Sequence, residues 1–170
     1  MDTAIESPSR PVANCSERLS LRLWLQLMKC TKTLEAVVGS RLRREYNQSL
    51  ARFDVFSQLY RLGGDWVSIG EVAGKVMAAS HNITALLDRM VAEGLIERRA
   101  SPDDRRSHQV RMTAEGRSLF DGMANDHLRW VNEALDGFDQ DSKRALISLL
   151  VEMRDIFGAN ALGAHQEKTE

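Results

Sequence analysis

Residues 80–116, SHNITALLDRMVAEGLIERRASPDDRRSHQVRMTAEG, decide the fold of this 170-residue chain. The first part of the stretch carries apolar residues at three- and four-residue steps, which is the spacing of one buried helical face. These residues are Ile83, Leu86, Leu87, Met90 and Val91. Ser80 is of the type that caps helix N-termini, and Gly94 is of the type that ends helices. The pattern predicts a helix from Ser80 to Glu93.

The second part of the stretch predicts a small β-hairpin. Two short runs, Leu95–Arg99 and His108–Met112, flank a loop whose tip, DDRR, holds four charges in a row. Thr113 then caps a further helix. Two helices with a tight turn between them, followed by a hairpin, form a winged helix-turn-helix.

The rest of the chain is predicted to be helical. A long helix spans roughly 16–46, a second runs from Ser49 to Leu62, and the SIGE capping box at Ser68–Glu71 opens a third that ends near Met77. Two more helices, 113–136 and 141–157, follow the hairpin. The predicted fold is therefore mostly α with a hairpin wing. Its predicted segments are, in order, a disordered tail (1–15), a dimerisation helix (16–47), a DNA-binding winged helix-turn-helix lobe (48–113), dimerisation helices (114–158) and a frayed tail (159–170).

Composition and charge narrow the function. Residues 1–113 hold 17 Lys and Arg against 13 Asp and Glu, whereas residues 114–170 hold 6 against 11. This asymmetry indicates that one portion faces an anion. No apolar run approaches the roughly 18 residues needed to span a bilayer, and the N-terminus has no signal-peptide pattern. A soluble cytoplasmic protein without membrane contact is expected.

The sequence offers no sign of an enzyme. The four histidines are scattered, and neither metal-ligand spacing nor a glycine-rich phosphate loop occurs. Two cysteines, Cys15 and Cys30, form no disulfide framework. We therefore expect no catalytic residues, no metal and no cofactor.

The predicted fourth helix and the hairpin tip carry the candidate DNA contacts. Away from the buried stripe, the N-terminal half of the helix is small and polar, which lets a helix approach base edges. An ordinary solvated face has the same composition. At the tip, an Asp two residues before an Arg can hold the guanidinium for entry into the minor groove, although a surface ion pair also has that spacing. The candidate DNA-binding residues are Ser80, His81, Asn82, Thr84, Ala85, Arg89, Asp104, Arg105 and Arg106.

Over about 140 residues the chain resembles the MarR family of bacterial transcriptional regulators. The resemblance is carried by residues 53–76, FDVFSQLYRLGGDWVSIGEVAGKV, and by the stretch from Ser80 onward. Its specific part is the wing motif with Asp104 and Arg106, followed by Thr113 and Gly116. Met112 departs from the family's usual Leu.

The resemblance implies an obligate homodimer, clasped by the first and last helices, on double-stranded DNA with a pseudo-palindromic operator. It implies that residues 80–93 lie in the major groove and that the wing, residues 100–107, places Arg106 in the minor groove. A ligand pocket between the dimerisation helices and the DNA-binding lobe is also implied.

The signal that such a protein senses stays open. The N-terminal half is similar to regulators of aromatic-acid and hydroxycinnamate catabolism, which suggests an aromatic carboxylate or its coenzyme A thioester as effector and a repressor released by it. Candidate ligand contacts are Trp24, Met28, Lys32, Arg41 and Arg44. The first three also fit a helix core with a snorkelling lysine. A redox-sensing repressor using Cys15 or Cys30 is an alternative, although Cys30 on the apolar stripe is expected to be a buried, inert thiol. A winged helix that binds only proteins is a further alternative.

Overall fold

The computed structural model of the protein describes residues 15–63, 65–77, 83–102, 104 and 107–166. In this part of the chain, six helices and three strands follow one another. They are α1 (Cys15–Tyr46), α2 (Leu50–Arg61), β1 (Val67–Ser68), α3 (Ile69–Lys75), α4 (Ile83–Ala92), β2 (Ile96–Ala100), β3 (His108–Met112), α5 (Ala114–Ala134) and α6 (Gln140–Gln166). The mostly helical fold with a small sheet confirms the predicted fold class. There are two compact units, one ending at His127 and the other beginning at Leu128.

Side-chain caps set the starts of α2 and α3, as predicted. The Ser49 hydroxyl accepts a hydrogen bond from the Arg52 backbone N at 3.3 Å at the start of α2. At α3 the capping box is complete: Glu71 N donates to Ser68 Oγ at 3.1 Å, and Ser68 N donates to Glu71 Oε2 at 3.3 Å. Each bond satisfies a backbone donor that the first turn of a helix leaves unpaired.

Helix α2 is the centre of the first unit. It is buried around most of its circumference, at Phe53, Asp54, Val55, Phe56, Gln58 and Leu59. This burial is extensive because α2 packs on several neighbours, namely α1, α3 and β3. The Phe53 and Phe56 rings also approach Phe120 of α5, with centroids 5.8 and 6.1 Å apart.

The hairpin belongs to a three-stranded antiparallel sheet in the order β1-β3-β2. The sequence does not predict the third strand, β1, because two residues are too short to show an alternating pattern. Val67 of β1 and Arg98 of β2 both pair with Val110, the buried centre of β3. The central strand β3 is therefore paired along both of its edges.

The second unit comprises the last part of α5 and all of α6. Asp139 caps α6, accepting bonds from Asp141 N and Ser142 N at 2.9 Å each. These bonds and one from the Ser142 hydroxyl lower the pKa of Asp139. Helix α6 continues to Gln166, beyond residue 157, where the predicted helix ends. The glycines at 158 and 163, which are typical of a fraying helix, cost a helix only about 1 kcal/mol each.

Candidate nucleic-acid interface

Helix α4 separates a buried face from an exposed one. Leu86, Leu87 and Met90 are buried, and the helix packs on β2. Thr84 and Arg89 are exposed, and Ala85 is half-buried with an interaction partner of its own. The predicted apolar stripe is therefore confirmed, and the three described candidates on this helix lie off it. Candidates Ser80, His81 and Asn82 lie outside the described residues.

The wing loop closes on Asp104. Its carbonyl oxygen accepts bonds from the Ser107 backbone N at 2.9 Å and from the Ser107 hydroxyl at 3.0 Å. Ser101 N donates to Ser107 O at 3.0 Å where the loop leaves the strands. Asp104 and Ser107 are thus held together beside the paired strands. Asp104 is exposed, whereas Arg105 and Arg106, and with them the predicted Asp104–Arg106 contact, lie outside the described residues.

The two faces of the wing sheet carry different contacts. On the outer face, the guanidinium carbons of Arg99 and Arg111 lie 4.2 and 4.6 Å from the ring centroid of Trp66, within cation–π range. On the other face, Arg98 donates to the Asp88 carboxylate of α4 at 2.7 Å. Asp88 is therefore engaged with the sheet, which links the orientation of α4 to that of the wing.

Helix α2 contacts both ends of the segment that contains α4. Met77 N, ahead of α4, donates to Asp54 Oδ2 at 2.6 Å. Glu93, just after α4, accepts from Arg52 Nη1 at 2.6 Å and also from Nη2. The hydrogen bond and the charge of Arg52 outweigh desolvation and lower the pKa of Glu93.

The sequence analysis does not predict these polar contacts. One feature of the sequence nevertheless indicates the contact of Asp54. Asp54 stands among Phe53, Val55 and Phe56, a place where a carboxylate is stable only with hydrogen-bond donors nearby. The Arg52–Glu93 pair joins residues 41 positions apart, and no local spacing announces it.

The candidate ligand residues fall into two groups on α1. Trp24, Met28 and Lys32, at four-residue steps, lie on one exposed face. Arg41 and Arg44 lie on a different side of the helix, as its period of 3.6 residues requires. Arg44 pairs with Glu45 at 2.8 Å, and Arg41 also has a partner. The structure therefore does not bring the two groups together within one chain.

Cys30 is exposed, so the expectation of a buried thiol is wrong. It lies on the apolar stripe of α1, but that stripe is itself exposed along its N-terminal half, with Leu19 and Leu23 among its members. The described side chains include no cluster of three or more His, Cys, Asp or Glu that could hold a metal ion. Of the described helices, none has the length and apolarity to cross a membrane.

Comparisons with known proteins agree with this geometry. The model of the MarR family matches residues 49–108. An uncharacterized HTH-type transcriptional regulator of Bacillus subtilis strain 168, YdgJ, is 27% identical over 141 residues, which cover 83% of this chain and 81% of YdgJ.

Solved structures show the same fold. Sco3205, a MarR family transcriptional regulator from Streptomyces coelicolor solved in complex with DNA, has a TM-score of 0.73 at 17% identity, covering 88% of this chain and 92% of that one. Bordetella bronchiseptica BpsR, whose DNA binding is regulated by 6-hydroxynicotinic acid, has a TM-score of 0.69 at 20% identity, covering 78% and 98%. These structures show a shared fold, and the family model and YdgJ show sequence similarity to HTH-type transcriptional regulators.

Proposed function

We propose that this protein is a MarR-family transcriptional regulator that binds duplex DNA in the cytoplasm through α4 and the wing. The observation that carries the proposal is the order of elements: helix α4, with Thr84 and Arg89 exposed, precedes a β-hairpin whose loop is closed by hydrogen bonds of Ser107 with Ser101 and Asp104. In that arrangement a helix enters the major groove while the wing reaches an adjacent minor groove.

Each candidate contact has a role in this proposal. Thr84, Ala85 and Arg89, with Ser80, His81 and Asn82 ahead of them, face base edges and phosphates of the major groove. Arg106 enters the minor groove, where the negative potential is strongest when the groove is narrow, and Asp104 orients it. Arg105 contacts the backbone.

A homodimer is part of the proposal, because apolar side chains are exposed on both units. On α1 the exposed set is Leu19, Leu21, Leu23, Trp24, Leu25, Met28 and Leu34; on α6 it includes Leu146, Ile147, Leu149, Leu150, Ile156 and Phe157. At 3.6 residues per turn, the α1 set covers roughly two-thirds of the helix circumference. Apolar surface of this extent marks an interface, and two-fold symmetry then matches a pseudo-palindromic operator.

We further propose that the regulator is a repressor whose effector is an aromatic carboxylate or its coenzyme A thioester. Trp24 and Met28 offer an apolar wall and Lys32 a cation on one face of α1. Because that face is exposed, a second chain would have to complete the pocket. The regulation of BpsR by an aromatic carboxylic acid is consistent with this class of ligand.

The proposed function is tested by a gel shift with duplex DNA from the region upstream of the protein's own gene. A salt-sensitive, sequence-selective shift is expected. Light scattering should give twice the 19.1 kDa chain mass. A dimer that binds no DNA would instead favour a winged helix that binds only proteins.

The effector is tested by calorimetry with aromatic acids and their thioesters, with and without the DNA. A ligand that releases DNA must bind more weakly in its presence by the same factor. If no ligand binds while peroxide abolishes the shift, the redox-sensing alternative is favoured, and Cys15→Ser or Cys30→Ser should then make the shift resistant to peroxide.

A further inference from the structure

Just after α3 ends, the backbone is hydrogen-bonded to a buried carboxylate of α2. After Lys75, Val76 N still bonds to Val72 O at 3.0 Å, but the next amide, Met77 N, donates to Asp54 Oδ2 at 2.6 Å. The bond therefore lies just after the end of α3 and six residues before the first residue of α4.

Asp54 is buried in the core, and each of its carboxylate oxygens accepts a hydrogen bond. It is 7% exposed, and its other oxygen, Oδ1, accepts from the Gln58 amide at 3.2 Å. A carboxylate in such a place is costly unless both oxygens are bonded, and a buried amide without an acceptor costs about 1–3 kcal/mol. The bond between Asp54 and Met77 thus favours this position of the Met77 backbone over positions in which the bond is not made.

The same helix fixes the far end of the segment. Arg52, two residues before Asp54, holds Glu93 with both ends of its guanidinium group, and its side chain is only 14% exposed. Because α2 is the buried centre of the unit, it acts as a rigid frame for α4.

We propose that Asp54 is a positioning residue for DNA binding: by accepting the Met77 amide it sets where the chain enters α4. The inference rests on the proposed function. It assigns Asp54 no contact with DNA. A recognition helix must be held to within about half an ångström for its side chains to meet base edges, so a loosened entry lowers affinity while the core stays folded.

The test compares two substitutions of Asp54 with a matched control. Asp54→Leu keeps the branched shape of the side chain, with larger methyl groups in place of the oxygens, and removes the acceptor. Asp54→Asn keeps one acceptor oxygen for Met77, and the Gln58 amide can rotate to accept from the new NH2 group. Gln58→Met removes the other bond of Asp54 and leaves Met77 untouched. Exchange of the Met77 amide and affinity for the upstream duplex are measured on the full chain.

We expect the Met77 amide to be protected in the wild type, in Asp54→Asn and in Gln58→Met. In Asp54→Leu its exchange should accelerate about tenfold or more, and DNA affinity should fall about tenfold. Unchanged affinity in a folded Asp54→Leu protein, or lost affinity in Asp54→Asn with Met77 still protected, would overturn the inference.

Two further outcomes keep the test decisive. A freely exchanging Met77 amide in the wild type overturns the inference without any variant, should Asp54→Leu fail to fold. A wild-type protein that does not bind duplex DNA removes the proposed function and the inference together, whereas DNA binding with equal affinity in Asp54→Leu removes the inference alone.

Discussion

A Cβ atom placed on Gly116 would lie 1.9 Å from the carbonyl oxygen of Leu95. The same oxygen accepts the backbone N–H of Thr113 at 3.2 Å, and the Thr113 hydroxyl donates to Gly94 O at 2.8 Å. In turn, Gly116 N donates to Thr113 Oγ1 at 2.9 Å. Thr113 and Gly116 therefore join the start of α5 to the loop between α4 and β2, and only glycine fits at residue 116.

Gly116→Ala should lower the free energy of unfolding by about 2–3 kcal/mol, because the added methyl group must displace backbone. Gly74→Ala is the matched control: it lies in α3, and a methyl group added there would meet no atom within 4 Å, so it should stabilise by about 0.5–1 kcal/mol. Urea unfolding at one fixed protein concentration measures both. Equal free energies of unfolding for wild type and Gly116→Ala would contradict the close packing of Gly116 on the Leu95 carbonyl oxygen.

The contacts of Thr113 and Gly116 illustrate which features of the fold can be predicted from the sequence. Periodicity and caps predict the helices and the hairpin, because both depend on neighbours within four residues. They also predict Thr113 as the cap of α5, but the role of Gly116 depends on Leu95, which is distant in sequence and adjacent only in the fold.

Contacts between residues distant in sequence also explain other features that the sequence did not predict. The bond between Asp54 and Met77 joins two helices, and strand β1 exists only because β3 offers it partners. The exposure of Cys30 escapes prediction for the opposite reason: an apolar stripe is expected to pack within one chain, whereas this one is exposed on α1.

His127 should make stability depend on pH. Its ring stacks on Phe53 with centroids 4.6 Å apart, and burial lowers its pKa below the ordinary value of about 6.5. As pH falls through that value the unfolded chain takes up the proton first, so the free energy of unfolding decreases until the lowered folded pKa is reached.

His127→Phe keeps the stack and removes the titrating group. The loss of stability between about pH 7.5 and about pH 5.5 should be smaller in this variant than in the wild type. His108→Gln serves as the control for removing a histidine elsewhere. An identical pH dependence in His127→Phe and wild type would show that His127 does not contribute.

The Arg52–Glu93 pair should be worth more than an exposed ion pair. Arg52 is largely buried, its two nitrogens bond both carboxylate oxygens, and Glu93 is 46% exposed, which screens part of the attraction. A double-mutant cycle with Arg52→Ala and Glu93→Ala should give a coupling of about 1–1.5 kcal/mol. The exposed Arg129–Glu133 pair, four residues apart on α5, should give about 0.3–0.5 kcal/mol. Equal couplings in the two cycles would contradict the role assigned to α2.

The wing supplies the last prediction. The Ser107 backbone N–H and hydroxyl donate to the Asp104 carbonyl oxygen beside the paired strands, and the proposed function places Arg106 in the minor groove. Arg106→Ala should weaken binding to the upstream duplex by at least about tenfold, or about 1.4 kcal/mol, without changing the unfolding curve. Asp104→Ala should weaken it less, since the guanidinium is retained and only its orientation is lost. Arg144→Ala, which removes the same charge from an exposed ion pair on α6, is the control and should bind as the wild type does. If fluorescence anisotropy gives Arg106→Ala and Arg144→Ala the same affinity, the wing does not read the minor groove.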